Sequence, residues 1–234
     1  MRDIRRWAVY VAPRMASALA RFGADWLGWD AQAGLMRDGL ALPGLPRPRP
    51  ALVEAARRYG LHATLKAPFP LAPDRVPTEL DAAIAAVAGD FAPFPLPLAL
   101  ASLGGFLALV PAGPSPEIDA LAAACVTRLD SFRAALQPAE RARRRPDALS
   151  AEQRALLEQW GYPFVLGEYR FHMTLTGPLP DDERAAVAAA LAPLLDPILA
   201  APLMVADICL FGEDGAGRFH LLKRFPLTGT AAPA

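Results

Sequence analysis

The sequence predicts an α+β fold in which two lobes of antiparallel sheet and helices are related by a pseudo-twofold axis around a central cleft. The main observation is a repeat: residues 59–70 recur as residues 169–180 with the tyrosine, histidine, threonine, leucine and both prolines unchanged. Self-similarity at a fixed offset is the signature of a duplicated structural unit. Each half also shows a similar order of strand and helix patterns, and a Gly-Gly pair at 104–105, typical of a tight hairpin, separates the halves.

Length and composition limit the possible classes of protein. The chain has 234 residues, 53% of them hydrophobic, which is enough for a substantial core. Lys+Arg and Asp+Glu are balanced at 24 each, so the broad basic surface of a dedicated nucleic-acid binder is not expected. No stretch approaches the roughly 18 apolar residues of a membrane span, and the apolar run near the start is too short for a signal peptide. We therefore expect a cytoplasmic monomer without membrane contact.

The first half of the chain alternates between strand and helix patterns. β-Branched and aromatic runs predict strands, and apolar residues at helical spacing that end near glycine predict helices. The predicted elements are a strand at 7–12, a helix at 15–29, a loop at 30–50, a helix at 50–58, the first histidine strand at 61–67, a helix at 77–88 and a strand at 97–103.

The second half repeats this order after the hairpin. The predicted elements are a strand at 106–111, a helix at 116–136, a polar loop at 137–148, a helix at 150–160, the second histidine strand at 168–176, a helix at 181–195 and strands at 203–211 and 218–227. We therefore expect a single bilobal domain at 1–228, with lobe one at about 6–104 and lobe two at about 105–227. Residues 229–234 are expected to be a frayed tail.

Strand periodicity divides each copy of the repeat into two faces, because alternate side chains of a strand point to the same side. The two polar faces are Gly60, His62, Thr64 and Lys66 in the first copy, and Arg170, His172, Thr174 and Thr176 in the second. The opposite faces, which include Tyr59 and Tyr169, are expected to pack in the core. If the axis brings the polar faces together, the cleft contains two imidazoles, three hydroxyls and two cations, but no carboxylate.

This set of side chains favours chemistry on a phosphodiester. Two histidines can serve as general base and general acid, since an imidazole with a pKa of about 6.5 has both protonation states available near neutrality. Hydroxyls and cations bind the phosphate oxygens. The candidate catalytic residues are His62 and His172, and the candidate phosphate-binding residues are Thr64, Thr174, Lys66, Thr176 and Arg170. Near-symmetry leaves open which histidine is the acid.

Other interpretations of these residues stay open. The duplicated His-Thr pair could be purely structural. A zinc site would need a third ligand, for which His220 is the only spare histidine, and no metal or cofactor is expected. The arginines at 141–145 could lie in a solvated loop, or they could form a basic flap that binds a second phosphate or a polynucleotide. Tyr10 could line the cleft or pack in the core.

Three segments resemble the two-histidine (2H) phosphoesterase superfamily, and within it the DUF1045 group of phosphonate-metabolism proteins. They are Trp-Ala-Val-Tyr-Val-Ala-Pro at 7–13, Tyr-Gly-Leu-His-Ala-Thr-Leu-Lys-Ala-Pro-Phe at 59–69 and Tyr-Arg-Phe-His-Met-Thr-Leu-Thr-Gly-Pro-Leu at 169–179. The resemblance implies a bilobal LigT-like fold with both motifs at a cleft, and metal-independent hydrolysis of a cyclic phosphodiester. His62 and His172 match the catalytic histidines, while Thr64 and Thr174 match the phosphate-binding hydroxyls.

Three functions are therefore compatible with the sequence. The first is a phosphodiesterase for a small sugar or nucleotide cyclic phosphate; the phosphonate association suggests one such as a phosphoribosyl 1,2-cyclic phosphate. The second is an RNA-processing enzyme acting on 2′,3′-cyclic phosphate ends, which would use the arginines at 141–145. The third is a non-catalytic binder of a phosphorylated ligand. The expected partner is a small phosphorylated substrate, with RNA as the alternative.

Overall fold

The computed structural model describes residues 3–230, so residues 231–234 of the predicted tail lie outside the described part of the chain. Strands alternate with helices as the repeat suggests. The strands are β1 Arg6–Val11, β2 Trp29–Asp30, β3 Leu35–Met36, β4 Ala63–Phe69, β5 Phe94–Leu96, β6 Leu98–Leu103, β7 Phe106–Pro111, β8 Met173–Thr174, β9 Leu203–Val205, β10 Asp207–Glu213 and β11 Phe219–Pro226. The α-helices are α1 Ala18–Leu27, α2 Arg49–Arg57, α3 Pro77–Gly89, α4 Pro116–Arg128, α5 Pro138–Arg143, α6 Ala151–Trp160 and α7 Asp181–Leu199.

A seven-stranded sheet with the order β11-β10-β1-β4-β8-β7-β6 forms the centre of the molecule, and its neighbouring strands pair antiparallel. This confirms the α+β class with antiparallel sheet. β4 and β8, which follow the two histidines, are neighbours through the pair Ala63 and Met173. The outer strands come from the opposite half of the sequence, because β10 and β11 extend β1 and β4 while β6 extends β7 and β8. The division into lobes at 104/105 stays a prediction.

Apolar helix faces cover the sheet and form the main core. In α1, the buried residues include Phe22, Trp26 and Leu27, at the helical spacing that the sequence predicts. Ser17 caps the start of α1, and Gly28, with a φ of 72°, ends it in the left-handed region that favours glycine. Among residues 3–230, no helix is both long enough and apolar enough to cross a bilayer.

Several predicted boundaries in the second half are wrong. The helix predicted at 116–136 ends at Arg128. In its last turn, the ammonium group of the buried Lys66 donates a hydrogen bond to the carbonyl of Val126. The polar loop at 137–148 instead contains α5 and a short 3₁₀-helix at 146–148. α7 continues past the predicted end at 195 to Leu199, although it contains two prolines, because its inward face is buried against the sheet.

The second histidine strand, predicted at 168–176, is also wrong in extent. Residues 166–168 form a 3₁₀-helix, and only Met173–Thr174 are strand. Leu175 and Thr176 both donate their backbone N–H to the carbonyl of Leu107, which interrupts the regular ladder. The short pairs β2–β3 and β5–β9 were not predicted, since they are only two or three residues long.

Trp26 joins α1 to the second repeat, because its buried Nε1 donates a hydrogen bond of 2.8 Å to the carbonyl of Leu175. Trp26→Phe leaves this buried carbonyl without its partner, so the free energy of unfolding is expected to fall by about 1–3 kcal/mol. Urea denaturation measures this change. Trp160→Phe is the matched control, since the indole N–H of Trp160 has no partner within residues 3–230. Equal losses in the two variants would contradict the assigned role of the Trp26 bond.

Candidate active site

A cavity of about 590 Å³ opens beside the junction of β4 and β8. Its volume lies within the roughly 300–1,000 Å³ typical of small-molecule sites. It is lined by residues of both repeats together with β1, α2 and α5. The polar lining residues are Arg6, Tyr10, Arg58, Tyr59, His62, Thr64, Glu140, Arg143, Arg144, Tyr162, Thr174 and Thr176.

His62 lies immediately before β4 and is held by its own backbone. Its Nδ1 is 3.0 Å from the carbonyl oxygen of Gly60. Gly60 has a φ of 70°, and a Cβ there would lie 2.8 Å from the Cβ of Ala31. Only glycine fits this position without displacing its neighbour. The glycine between Tyr59 and Leu61 therefore fixes the carbonyl that orients the imidazole.

His172 has the same arrangement, since its Nδ1 is 2.8 Å from the carbonyl oxygen of Arg170. A carbonyl can only accept, so Nδ1 must carry the hydrogen in both rings. Each neutral imidazole then has its lone pair on Nε2, which is left for a ligand. His172 is not among the residues that line the cavity, but its ring lies 5.7 Å from that of Phe106, which is one of them.

The surroundings of the two histidines differ. The ring of His62 is 4.1 Å from that of Tyr10 and 5.4 Å from that of Tyr59. Burial lowers the pKa of His62 to about 4, the nearby His172 contributes in the same direction, and the bond to Gly60 opposes the change. His62 is therefore neutral near pH 7, the state in which Nε2 can accept a proton.

Thr64 and Thr174 both line the cavity and are half-buried. Neither hydroxyl forms a hydrogen bond with another group in residues 3–230, so both remain available to a ligand. Since each threonine lies two positions after its histidine, the structure brings these four predicted side chains to one region. This arrangement follows from the neighbouring positions of β4 and β8.

Lys66 does not reach the cavity, although alternation predicted that it would. The register between β1 and β4 advances one residue on β1, from Val9 to Tyr10, but two on β4, from Lys66 to Thr64. This β-bulge turns Lys66 to the opposite side of the sheet from Thr64. Lys66 is 3% exposed and its Nζ lies 3.2 Å from Asp130 Oδ1. Burial lowers the pKa of Lys66, and Asp130 opposes that shift.

The structure also separates Arg170 and Thr176 from the predicted phosphate-binding group. Arg170 is exposed and lines a different depression, beside Pro111 and Ser115. Thr176 borders the cavity but is only 1% exposed, and its hydroxyl oxygen accepts the N–H of Leu107 at 3.0 Å. Arg170 lies before the short strand β8 begins, and Thr176 lies where the hydrogen-bond ladder with β7 is interrupted. Strand alternation therefore holds at neither residue.

Two tyrosines belong to the cavity instead. Tyr59, expected in the core, lines it and stacks on Phe219 at 4.7 Å. Tyr10 is fully buried, and its hydroxyl has no hydrogen-bond partner among the described residues. Burial raises the pKa of Tyr10 well above its usual value, so the hydroxyl keeps its proton and can donate. The signal for Tyr10 was its place on a strand next to the first histidine strand.

His220, the third histidine, lies outside this cavity. Its Nε2 is 2.8 Å from Asp214 Oδ2, and its ring packs edge-on against Trp29 at 5.2 Å. Within residues 3–230, no group of three or more His, Cys, Asp or Glu side chains is arranged to hold a metal ion. His220 is thus bound to a neighbouring carboxylate, not to the histidine pair.

Solved structures of other proteins include chains that are similar to this one. E. coli LigT complexed with 3′-AMP has a TM-score of 0.44 and 16% identity, with 97% of this chain and 99% of that chain covered. A second structure, described as a phosphoesterase, has a TM-score of 0.40 and 15% identity, with 96% and 99% covered.

Two curated relatives carry the name ribose 1,5-bisphosphate phosphokinase PhnN. The protein of Laribacter hongkongensis (strain HLHK9) is 39% identical over 220 residues, which are 94% of this chain and 51% of the relative. That of Janthinobacterium sp. (strain Marseille) is 37% identical over 234 residues, covering 97% and 52%. The chain thus spans about half the length of the curated relatives it matches.

The family match begins at Thr64, so it contains the second histidine segment and the part of the first segment that follows Ala63. The model described as "Protein of unknown function (DUF1045)" matches residues 64–220, about two thirds of the chain. This confirms the DUF1045 resemblance drawn from the repeated segments. The chain belongs to the DUF1045 family.

Proposed function

We propose that this protein is a metal-independent phosphodiesterase that hydrolyses a cyclic phosphodiester of a small sugar or nucleotide. The observation that carries the proposal is the pair of equivalent imidazoles, each oriented through Nδ1, beside two unbonded threonine hydroxyls. Within residues 3–230, no carboxylate is bound to His62 or His172, and the Nε2 of each ring is left for a ligand. A purely structural His-Thr pair would not need this arrangement.

The different surroundings of His62 and His172 support an assignment of His62 as the general base and His172 as the general acid. His62, neutral near pH 7, accepts a proton from a water molecule as the water oxygen bonds to phosphorus. The phosphorus–oxygen bond of the ring breaks, and His172, which enters this step as the imidazolium with a proton on both nitrogens, gives its Nε2 proton to the departing oxygen. The product is a phosphate monoester, with the ring oxygen released as a hydroxyl.

Hydroxyl donors stabilise the charge that develops on the phosphate. Thr64 and Thr174 donate to the non-bridging oxygens, and the protonated hydroxyl of Tyr10 is a third donor. Donors that are already in position lower the barrier because they need little reorganisation as the charge forms. Tyr59 and Tyr10 also cover the imidazole of His62 and keep bulk water away from it.

The curated relatives support a ribosyl substrate. Their name concerns ribose 1,5-bisphosphate. Hydrolysis of 5-phosphoribosyl 1,2-cyclic phosphate at the bond between phosphorus and O2 would yield that compound. Phosphoribosyl 1,2-cyclic phosphate is therefore the first member of the substrate panel, and a role in phosphonate catabolism follows from the same proposal.

Loss of either catalytic imidazole should remove most of the activity. His62→Ala and His172→Ala are each expected to lower kcat by about 10²–10⁴-fold, because proton transfer to or from water replaces general catalysis. The measurement is turnover of a panel of cyclic phosphates with EDTA present. His220→Gln is the matched control and should retain activity, since His220 is bound to Asp214. Undiminished activity in either alanine variant would exclude the two-histidine mechanism.

The acidic limb of the pH profile should report His62. Its pKa of about 4 means that kcat/KM rises as the pH increases through about 4, because the proton leaves Nε2. Tyr59→Ala uncovers the ring and should move this limb upward, toward the ordinary value of about 6.5. Tyr59→Phe keeps the covering ring and should leave the limb in place. An unchanged limb in Tyr59→Ala would contradict the assignment of His62 as the base.

The same panel separates the alternatives. An RNA-end enzyme, favoured by the arginines beside the cavity, would process 2′,3′-cyclic ends of short RNA with an affinity that falls steeply with salt. A non-catalytic binder would bind a cyclic phosphate tightly and release it intact after long incubation.

A further inference from the structure

We propose that the cavity contains a second phosphate-binding subsite, formed by Arg58, Arg143 and Arg144. This subsite selects substrates that carry a phosphate monoester in addition to the cyclic phosphodiester. The inference rests on the proposed function, for which it names the substrate class.

The cavity wall carries more positive than negative side chains. Four arginines and one glutamate, Glu140, line it. Arg6 is already neutralised by Glu213, to which its guanidinium is bound through two nitrogens. The other three arginines have no carboxylate within ion-pair distance among residues 3–230. Such a surplus of positive charge in a concave site attracts an anion.

Two of these guanidiniums, those of Arg58 and Arg144, lie against tyrosine rings. The Cζ of Arg58 lies 4.6 Å from the ring centre of Tyr59, and that of Arg144 lies 4.7 Å from the ring centre of Tyr162. Both tyrosines line the cavity. Arg58 also donates from Nη2 to the hydroxyl of Tyr59. Stacking on an aromatic face holds a guanidinium in place, and the N–H groups of Arg144 and the remaining N–H groups of Arg58 can bind phosphate oxygens.

The arginines of the segment 141–145 differ in their surroundings. Arg141 forms an ion pair of 2.6 Å with Glu158, and Arg145 lines a separate depression on the surface. Arg143 and Arg144 reach the cavity. A segment with only a solvating role would have no reason to divide its arginines in this way.

Tyr59 contacts both the subsite and the reaction centre, since its ring lies 5.4 Å from the ring of His62 and 4.6 Å from the Cζ of Arg58. The Arg58 end of the subsite and the first histidine thus share one aromatic neighbour, a proximity that suits two phosphates joined by one sugar. The buried hydroxyl of Tyr10, which has no hydrogen-bond partner within residues 3–230, is an independent sign that the cavity receives a polar ligand.

The test compares ribose 1,2-cyclic phosphate with and without a 5-phosphate. The wild-type protein is expected to prefer the 5-phosphorylated substrate in kcat/KM, and Arg143→Ala/Arg144→Ala should reduce that preference by about tenfold or more, mainly through KM. Arg141→Ala/Arg145→Ala removes the same charge from the same segment and is expected to keep the preference. Equal effects of the two double variants would overturn the subsite.

A binding measurement distinguishes failure of the subsite from failure of the proposed function. Calorimetric titration with ribose 1,5-bisphosphate needs no turnover, and Arg143→Ala/Arg144→Ala should weaken this binding by about tenfold or more. Weakened binding without hydrolysis of any cyclic phosphate would retain the subsite and refute the phosphodiesterase. Hydrolysis of a cyclic phosphate with an unchanged preference for the 5-phosphorylated substrate in Arg143→Ala/Arg144→Ala would retain the phosphodiesterase and refute the subsite. If Arg143→Ala/Arg144→Ala lost affinity for short RNA but kept its affinity for ribose 1,5-bisphosphate, the assignment of a small-molecule substrate would be overturned.

Discussion

One backbone pairing, between Ala63 of β4 and Met173 of β8, determines where the chemistry can occur. Each partner directly follows a histidine and directly precedes a threonine. Once the two residues pair, two imidazoles and two hydroxyls from positions 110 residues apart become neighbours. The pairing is short, and it is supported on both sides, since β1 holds β4 and β7 holds β8. The sheet therefore brings the two copies of the repeat to a common cavity.

Departures from regular strand geometry then decide which polar residues remain beside the cavity. The bulge in β4 keeps Thr64 at the site and turns Lys66 to the core, where Asp130 neutralises it. A buried lysine without a partner would be costly, so the acid that compensates it is part of this arrangement. The proposed phosphate site consequently has hydroxyls beside the histidines, and its cations come from Arg58, directly after α2, and from Arg143 and Arg144 at the end of α5.

The features that could be predicted from the sequence are those that depend on residue types at a fixed spacing. The repeat predicted the α+β class and brought His62, His172, Thr64 and Thr174 together as candidates. Alternation failed for Lys66, Arg170 and Thr176, since it assumes an unbroken strand and the real strands are bulged or very short. The arginines of the cavity wall depend on how α5 docks, which is a tertiary contact that no local pattern encodes. The arginines at 141–145 predicted a positive charge in this segment, but not which of the side chains face the cavity.

The exchange of outer strands has a consequence for how the protein is made. β1 lies between β4 and β10, so the first strand of the sheet cannot complete its pairing until residues 207–213 have been synthesised. Phe219 of β11, which stacks on Tyr59 beside the cavity, arrives later still. Contacts of such large sequence separation form late and slow folding. Until those residues have been made, a nascent chain exposes the unpaired edge of β1, and Tyr59 lacks the aromatic ring on which it stacks beside the cavity.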